Sequence, residues 1–165
     1  MKNKAVIILS WLLVAITTAI IFSFSFQDST SSLVSSEDVA SQVLSVVKEK
    51  EDINPRAVRD FQFPIRKIAH FGIYMLLGFT LISAVEKTLK IKTLLSIIVS
   101  EFICIIISIS DEIIQIFREG RTAYYIDSII DSVGAITGIF LYIFIIYLCR
   151  KVFKKFKSKK DKQTN

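Results

Sequence analysis

Four long apolar stretches, separated by short polar segments, dominate the pattern of this chain. They cover residues 5–26, 64–85, 93–110 and 126–149. Each stretch has about the 20 residues that an α-helix needs to cross the hydrocarbon core of a bilayer. None of them alternates apolar and polar residues, as the strands of membrane barrels do. The pattern therefore predicts an all-α fold, a membrane bundle of four transmembrane helices that forms a single domain over residues 1–165.

The segment between the first two stretches has a helical pattern of its own. Ser35 and, three residues later, Asp38 resemble a capping box at the start of a helix. Apolar residues then recur at helical spacing from Val39 to Val47. We therefore expect a short amphipathic helix in this loop, lying on the membrane surface or capping the bundle.

Basic residues indicate which way the predicted bundle crosses the membrane. They flank the apolar stretches as Lys2 and Lys4, as Lys87, Lys90 and Lys92, and as eight residues of the tail at 150–165. Lys and Arg are enriched on the cytoplasmic side of membranes, and with four spans all three groups fall on that side. Both termini are therefore predicted to be cytoplasmic. The loop at 27–63 and the short loop after Asp111 are predicted to face outward.

Composition narrows the chemistry further. The chain has a formal net charge of +6, one His and two Cys. Because Cys104 and Cys149 lie at different predicted depths, no disulfide is expected, and a lone His without a nearby Cys makes no zinc motif. The basic tail fits the anionic inner leaflet of a membrane, and no folded nucleic-acid reader accompanies it. The lipid bilayer is the expected partner, and no cofactor, metal or nucleic acid is expected.

Polar residues on the second and third stretches recur at helical spacing. In the second stretch, Arg66, His70 and Tyr74 follow each other at four-residue steps, with Lys67 beside them. In the third stretch, the polar positions near one stripe are Glu101, Ser108, Asp111, Glu112 and Gln115. Each set is therefore expected to share one helix face.

The fourth stretch continues this pattern with Asp127 and Asp131, followed by Gly134 and Gly138, which let another helix of the chain approach closely. Polar atoms inside a bilayer need partners or water. The three polar faces are therefore expected to meet in an outward-facing charged pocket. The candidate ligand-binding residues are Arg66, Lys67, His70, Tyr74, Asp111, Glu112, Gln115, Arg121, Asp127 and Asp131.

The same charges also have a purely structural interpretation, in which they neutralise one another and lock the helices together. The residues of such an ion-pair network are Arg66, Lys67, Arg118 and Arg121 on the basic side, and Asp111, Glu112, Asp127 and Asp131 on the acidic side. A divalent cation on these carboxylates is a further alternative, because hard cations prefer carboxylate oxygens. The nearby arginines already supply positive charge, so a metal is not the expectation.

Several short motifs follow one another along nearly the whole chain. They are Phe24-Ser25-x-Gln27, Lys67-x-x-His70-Phe71-x-x-Tyr74-x-x-Leu77-Gly78, Ser110-Asp111-Glu112-x-x-Gln115, Gly120-Arg121, and Asp127 with Gly134 and Gly138. Together they resemble the VanZ-like family of small bacterial membrane proteins. Where that family usually has an asparagine, this chain has Asp131.

The resemblance implies a multi-pass protein of the bacterial cell membrane with a role in the cell envelope. The namesake of the family is associated with low-level resistance to the glycopeptide teicoplanin, acting at the cell surface. The resemblance defines no reaction, so the leading hypothesis is a protein without enzymatic activity. In this hypothesis the pocket binds an envelope component, such as a cell-wall precursor or lipid, or a lipoglycopeptide, and contributes to glycopeptide resistance.

Two other classes of function stay open. The first is an enzyme acting on lipid-linked phosphates, in which Arg66, Lys67 and Arg121 hold phosphate while His70, Asp111 and Glu112 are the catalytic residues. It lacks a recognised phosphatase or transferase motif and an evident nucleophile. The second is a small transporter that uses Glu101 and the pocket. Four short spans without an inverted repeat speak against it.

Overall fold

Four α-helices form the part of the chain that the computed structural model describes, which is residues 2–26, 55–117 and 125–163. They are α1 at Lys2–Ser25, α2 at Pro55–Leu89, α3 at Thr93–Ile116 and α4 at Tyr125–Gln163. Within these residues there is no strand, and the predicted all-α fold is confirmed. The amphipathic helix expected between residues 35 and 50 lies outside the described residues.

Each helix contains a segment that is long and apolar enough to cross a membrane. These segments are Lys4–Ser25, Pro64–Leu89, Thr93–Ile116 and Ile126–Lys155. Large apolar side chains such as Leu12, Phe102 and Phe144 are exposed along them, as expected for surfaces that contact lipid. The chain is therefore a multi-pass membrane protein whose helices contact the bilayer directly.

The third helix extends beyond its apolar stretch. That stretch stops at residue 110, and the helical spacing of Asp111, Glu112 and Gln115 predicted that these residues share one helix face. In the structure α3 continues to Ile116, and both carboxylate side chains are buried. The helix continues because Ile113 and Ile116 keep its outer face apolar while the polar side chains turn toward the other helices.

The helix α2 is longer than the apolar stretch that predicted it. It begins at Pro55 and passes through Pro64. The membrane-crossing segment still begins at Pro64. After Leu89, the backbone of Lys90 takes a positive φ of 50°, and a three-residue link leads into α3. The short link makes α2 and α3 antiparallel neighbours.

Contacts at the two ends of the bundle fix an up-down-up-down order. At one end, the indole Nε1 of Trp11 donates a hydrogen bond to Thr88 Oγ1 at 2.9 Å, and Lys87 Nζ donates to Ser10 Oγ at 3.0 Å. At the opposite end, Ser25 at the end of α1 contacts Asp111 near the end of α3. We call this second end the polar end of the bundle, because it holds Ser25, Asp111 and the start of α4.

The most extensive helix contact joins α2 and α4. Glycines make this contact close: a Cβ atom at Gly134 would overlap the backbone of Phe71, and one at Gly138 would overlap the backbone of Met75. The ring of Phe79 packs edge-to-face on Tyr142 further along the same contact, with centroids 5.5 Å apart. This close packing brings the polar residues of α2 against those of α4.

Candidate functional site

Three side chains from three helices meet inside the bundle near its polar end. They are His70 on α2, Asp111 on α3 and Asp131 on α4. One nitrogen or oxygen of each lies within 4.8 Å of the others, and His70 Nδ1 is 3.3 Å from Asp131 Oδ1. Asp111 is 1% exposed and Asp131 is 0% exposed. We call these three residues the central triad.

Uncharged side chains donate hydrogen bonds to the two carboxylates of the central triad. Ser108 Oγ donates to Asp131 Oδ2 at 2.8 Å, and Gln115 Nε2 donates to Asp111 Oδ2 at 3.1 Å. The hydroxyl of Ser25 on α1 donates to Asp111 Oδ1. All four helices therefore contribute to the site, and these three donors orient the carboxylates without neutralising them.

Helical spacing explains why the side chains converge. On α3 the buried polar positions are Ser96, Ser100, Ser108, Asp111, Glu112 and Gln115, all on the face toward the other helices. On α4, Asp127 and Asp131 are separated by one helical turn, so they point the same way. The same holds for His70 and Tyr74 on α2. Each of these three helices presents its residues of the site on one inward face.

An ion pair lies one helical turn from the central triad, toward the polar end. The Lys67 ammonium contacts Asp127 Oδ1, and the two side chains are 17% and 6% exposed. Glu112 and Asp131 also attract this ammonium, while Arg66, next to it in sequence and half-buried, repels it. In the described site, the Lys67 ammonium is therefore a positive charge that lies among acidic side chains.

Tyr74 lies on the other side of the central triad, deeper in the bundle. Its side chain is fully buried. Ser108, Asp111 and Asp131 are its polar neighbours, but among the described residues its hydroxyl forms no hydrogen bond of ordinary geometry. A buried hydroxyl loses free energy when it lacks a hydrogen bond. Tyr74 thus presents an oxygen that can donate or accept within the site.

The described cluster contains more acidic than basic groups. Its carboxylates are Asp111, Glu112, Asp127 and Asp131, and its basic groups are Arg66, Lys67 and His70. Lys67 is engaged with Asp127, which leaves His70 as the basic group in contact with the central carboxylates. Like charges in a low-dielectric interior repel strongly. The arrangement therefore favours binding of a cation or of hydrogen-bond donors.

The hydrogen bonds also limit the chemistry of the site. Ser108 donates to the carboxylate of Asp131, whereas a nucleophilic serine is activated by a hydrogen bond to a histidine. His70 contacts the other oxygen of the same carboxylate. Ser108, Asp131 and His70 are therefore connected in the order Ser–Asp–His. A serine-hydrolase triad has the order Ser–His–Asp, so these residues do not form one.

The structure brings together most of the residues that the sequence indicated. Those gathered in the cluster are Lys67, His70, Tyr74, Asp111, Glu112, Gln115, Asp127 and Asp131. Arg66 lies at its edge, and Arg121 and Arg118 lie outside the described residues. Ser25 was not among the candidates. Its position at the end of an apolar span, at the expected depth of Asp111, is the signal that would have indicated it.

Glu101 lies apart from the cluster. It precedes Asp111 by ten residues on α3, roughly 15 Å along the helix axis. Both of its carboxylate oxygens are buried and lack a hydrogen-bond partner in the described part of the chain. It is therefore a separate polar position in the middle of the membrane.

Comparison with models of known protein families gives a match over most of the chain. The model of the family described as VanZ/LLP1 matches residues 9–147, which include every residue of the cluster. The comparison with curated proteins returns no match, and neither does the comparison with solved structures.

Proposed function

Because the chain belongs to the VanZ/LLP1 family, as its motifs predicted, we propose that it is a non-enzymatic protein of the bacterial cell envelope. In this proposal the polar cluster binds the head group of an amphiphilic envelope component, such as a lipid or a lipid-linked cell-wall precursor, or a lipoglycopeptide. Binding contributes to resistance against teicoplanin-type glycopeptides. The observation that carries the proposal is the central triad, in which two buried carboxylates and a partly exposed histidine from separate helices meet.

Ionisable groups at membrane depth are costly, and proteins place them mainly where they serve binding, transport or proton movement. The cluster offers carboxylate acceptors in Asp111 and Asp131, and a cation in Lys67. A head group that carries amines or hydroxyls together with phosphate would find partners for each. These are the polar groups of lipids and of lipid-linked precursors.

Apolar side chains beside the cluster support an amphiphile over a freely soluble ligand. Phe24 precedes Ser25, and Ile113 follows Glu112; both are exposed at the bundle surface. Phe117, one turn further along, is 82% exposed. An acyl or polyprenyl chain would lie against these residues in the bilayer while its head group enters the cluster.

We place the polar end of the bundle on the outer side of the membrane. The basic residues support this orientation, because Lys4, Lys90 and Lys92 are exposed at the opposite end, where α4 also continues into its lysine-rich tail. Basic segments mark the cytoplasmic side. Both termini are then cytoplasmic, and the cluster faces the cell wall.

The test is antibiotic susceptibility in a teicoplanin-sensitive bacterial host that expresses the full chain. We expect the protein to raise the minimum inhibitory concentration of teicoplanin and the Asp131→Asn variant to lose this effect. Thr137→Ala is the control, because this hydroxyl lies on the exposed face of the same helix and bonds to the Val133 carbonyl. Unchanged susceptibility together with unchanged envelope composition would contradict the proposal.

One observation favours an enzyme on lipid-linked phosphates as a second candidate. His70 and Asp131 are in contact, one turn from the Lys67 ammonium, so a proton carrier and a phosphate-binding cation share the site. Purified protein incubated with labelled polyprenyl phosphates tests this. Turnover that is lost in His70→Ala and in Asp111→Asn would identify an enzyme, and absence of turnover would leave the binding role.

A further inference from the structure

We propose that the central triad binds one divalent transition-metal ion, such as Zn²⁺ or Mn²⁺, through His70, Asp111 and Asp131. The lone histidine and the absence of close ligand spacing predicted no metal from the sequence. The ligands come instead from three helices, and only the fold brings them together. The inference does not depend on the envelope role proposed above.

The geometry of the triad suits a metal ion. Metal–ligand distances for imidazole and carboxylate are about 2.0–2.2 Å, so two ligands of one tetrahedral ion are roughly 3.4 Å apart. His70 Nδ1 and Asp131 Oδ1 are 3.3 Å apart. The Asp111 carboxylate completes a set whose members all lie within 4.8 Å, and a shift of its side chain by roughly 1 Å would bring it to the same spacing.

The hydrogen bonds to the carboxylates of the triad match those that orient metal ligands. Such ligands usually form hydrogen bonds with neighbouring groups that do not bind the metal themselves. Ser108 donates a hydrogen bond to Oδ2 of Asp131, and Oδ1 of the same carboxylate contacts His70. Gln115 and Ser25 hold Asp111 in the same manner. Since these donors are uncharged, they orient the two buried carboxylates toward one point without adding positive charge there. A divalent cation at that point would add positive charge to that of His70, the basic group that contacts the triad carboxylates among the described residues.

The Tyr74 hydroxyl is a second, independent observation. It is fully buried next to Asp111 and Asp131, and its contact with Ser108 falls outside ordinary hydrogen-bond geometry. Three protein ligands leave a coordination position for water or for an oxygen of a bound head group. A metal-bound oxygen in the site would give this hydroxyl its hydrogen-bond partner.

The ligand set selects the class of metal. Ca²⁺ and Mg²⁺ prefer sites made of oxygen ligands alone. An imidazole nitrogen together with carboxylates suits Zn²⁺, Mn²⁺ or Fe²⁺. A transition metal is therefore favoured over the hard cations that the four carboxylates by themselves would attract.

The test uses the full chain, carrying a tag without histidine, purified and placed in lipid nanodiscs. Elemental analysis is expected to find about one transition-metal ion per chain, as three-ligand sites hold one ion. After removal of the metal, titration with Co²⁺ alone should produce a saturable visible absorption in the wild type. Asp131→Asn and His70→Gln should lose both signals, and Ser108→Ala should weaken Co²⁺ binding about 10- to 100-fold.

Glu101→Gln is the matched control, because it removes a buried carboxylate of α3 that lies outside the triad; its metal content should equal that of the wild type. The thermal unfolding of each variant, measured without metal, separates loss of the ligand from loss of the fold. Wild-type protein without stoichiometric metal, and with the same Co²⁺ response as Asp131→Asn, would overturn the inference. Metal content is measured without antibiotic or lipid ligand. A negative result would therefore overturn the metal site without testing the envelope role.

Discussion

Lys67 and Asp127 illustrate how single residues hold charge inside this bundle. Both side chains are mostly buried, and each is the other's ion-pair partner. Removing two charges from water costs several kcal/mol, which their attraction offsets only while both are present. Loss of one partner therefore removes this attraction, while the cost of removing the other charge from water remains.

At this scale we predict that substitutions of Lys67 and Asp127 have strongly coupled effects on the free energy of unfolding. Lys67→Met or Asp127→Asn alone should lower the free energy of unfolding by about 3 kcal/mol, as expected when a buried pair is broken. The double variant should lose less than the sum of the two single variants. Detergent-induced unfolding in bicelles measures these values, with exposed Lys90→Met as a control expected to change stability by less than about 0.5 kcal/mol. Additive losses would contradict the pairing.

The residues of the cluster were predictable from their spacing, but their partners were not. His70, Asp111 and Asp131 each belong to a polar face that the helical period defines, so the sequence indicated that they would converge. The contact of Ser25 with Asp111 depends on how α1 aligns with α3 along the membrane. No periodicity within one helix encodes that alignment, because it is decided by packing between helices.

Among the elements, α2 and α4 form the contact on which the site depends. Gly134 and Gly138 let the two backbones approach so closely that a Cβ atom at either position would overlap α2. The same approach places His70 against Asp131. Any residue that pushes these helices apart should therefore disturb both packing and site.

We predict that Gly138→Ala lowers the free energy of unfolding by about 1–3 kcal/mol, the usual cost of overpacking a core. The contact is with backbone atoms of α2, which cannot move aside as a flexible side chain can. Gly72→Ala is the matched control, since open space surrounds the position that its Cβ would take. It should raise stability by about 0.5–1 kcal/mol, because alanine is the better helix former. Equal effects of the two variants in bicelle unfolding would refute the close contact.

The helix ends show that two patterns in the sequence carry different information. Hydropathy ended the third apolar stretch at residue 110, whereas the helical spacing of Asp111, Glu112 and Gln115 predicted that they share one helix face. In the structure Asp111 and Glu112 are buried on α3, which continues to Ile116. Asp111 accepts hydrogen bonds from Ser25 and Gln115 inside the bundle, so its charge did not end the helix. Apolar runs predict which helices exist more securely than where they end.

At the scale of the whole molecule, the described residues at the two ends of the bundle differ in their charged side chains. The buried carboxylates lie at the polar end, and exposed lysines lie at the other, including Lys90 and Lys92 on the link between α2 and α3. Four apolar runs were sufficient to predict the four-helix bundle, because each run has the length of a membrane crossing. The shared site was predictable only in outline, since it arises from contacts among all four helices.

At this scale we predict the orientation of the protein in the membrane. In a chain carrying Cys104→Ser and Cys149→Ser, a membrane-impermeant maleimide applied to intact cells should label Phe117→Cys. It should label Lys90→Cys only after the cells are permeabilised. Both side chains are exposed, at opposite ends of the bundle, so differences in labelling report the side of the membrane. The reverse pattern would place the cluster on the cytoplasmic side and contradict the envelope role.

The most direct test of the central claim is a crystal structure of the full chain grown from a lipidic mesophase. The claim is that His70, Asp111 and Asp131 form a binding site, so density for an ion, a head group or another bound molecule should contact these three side chains. A cluster that is empty, with its carboxylates paired to arginines and lysines of the chain, would show that the charges only hold the helices together and would contradict the account.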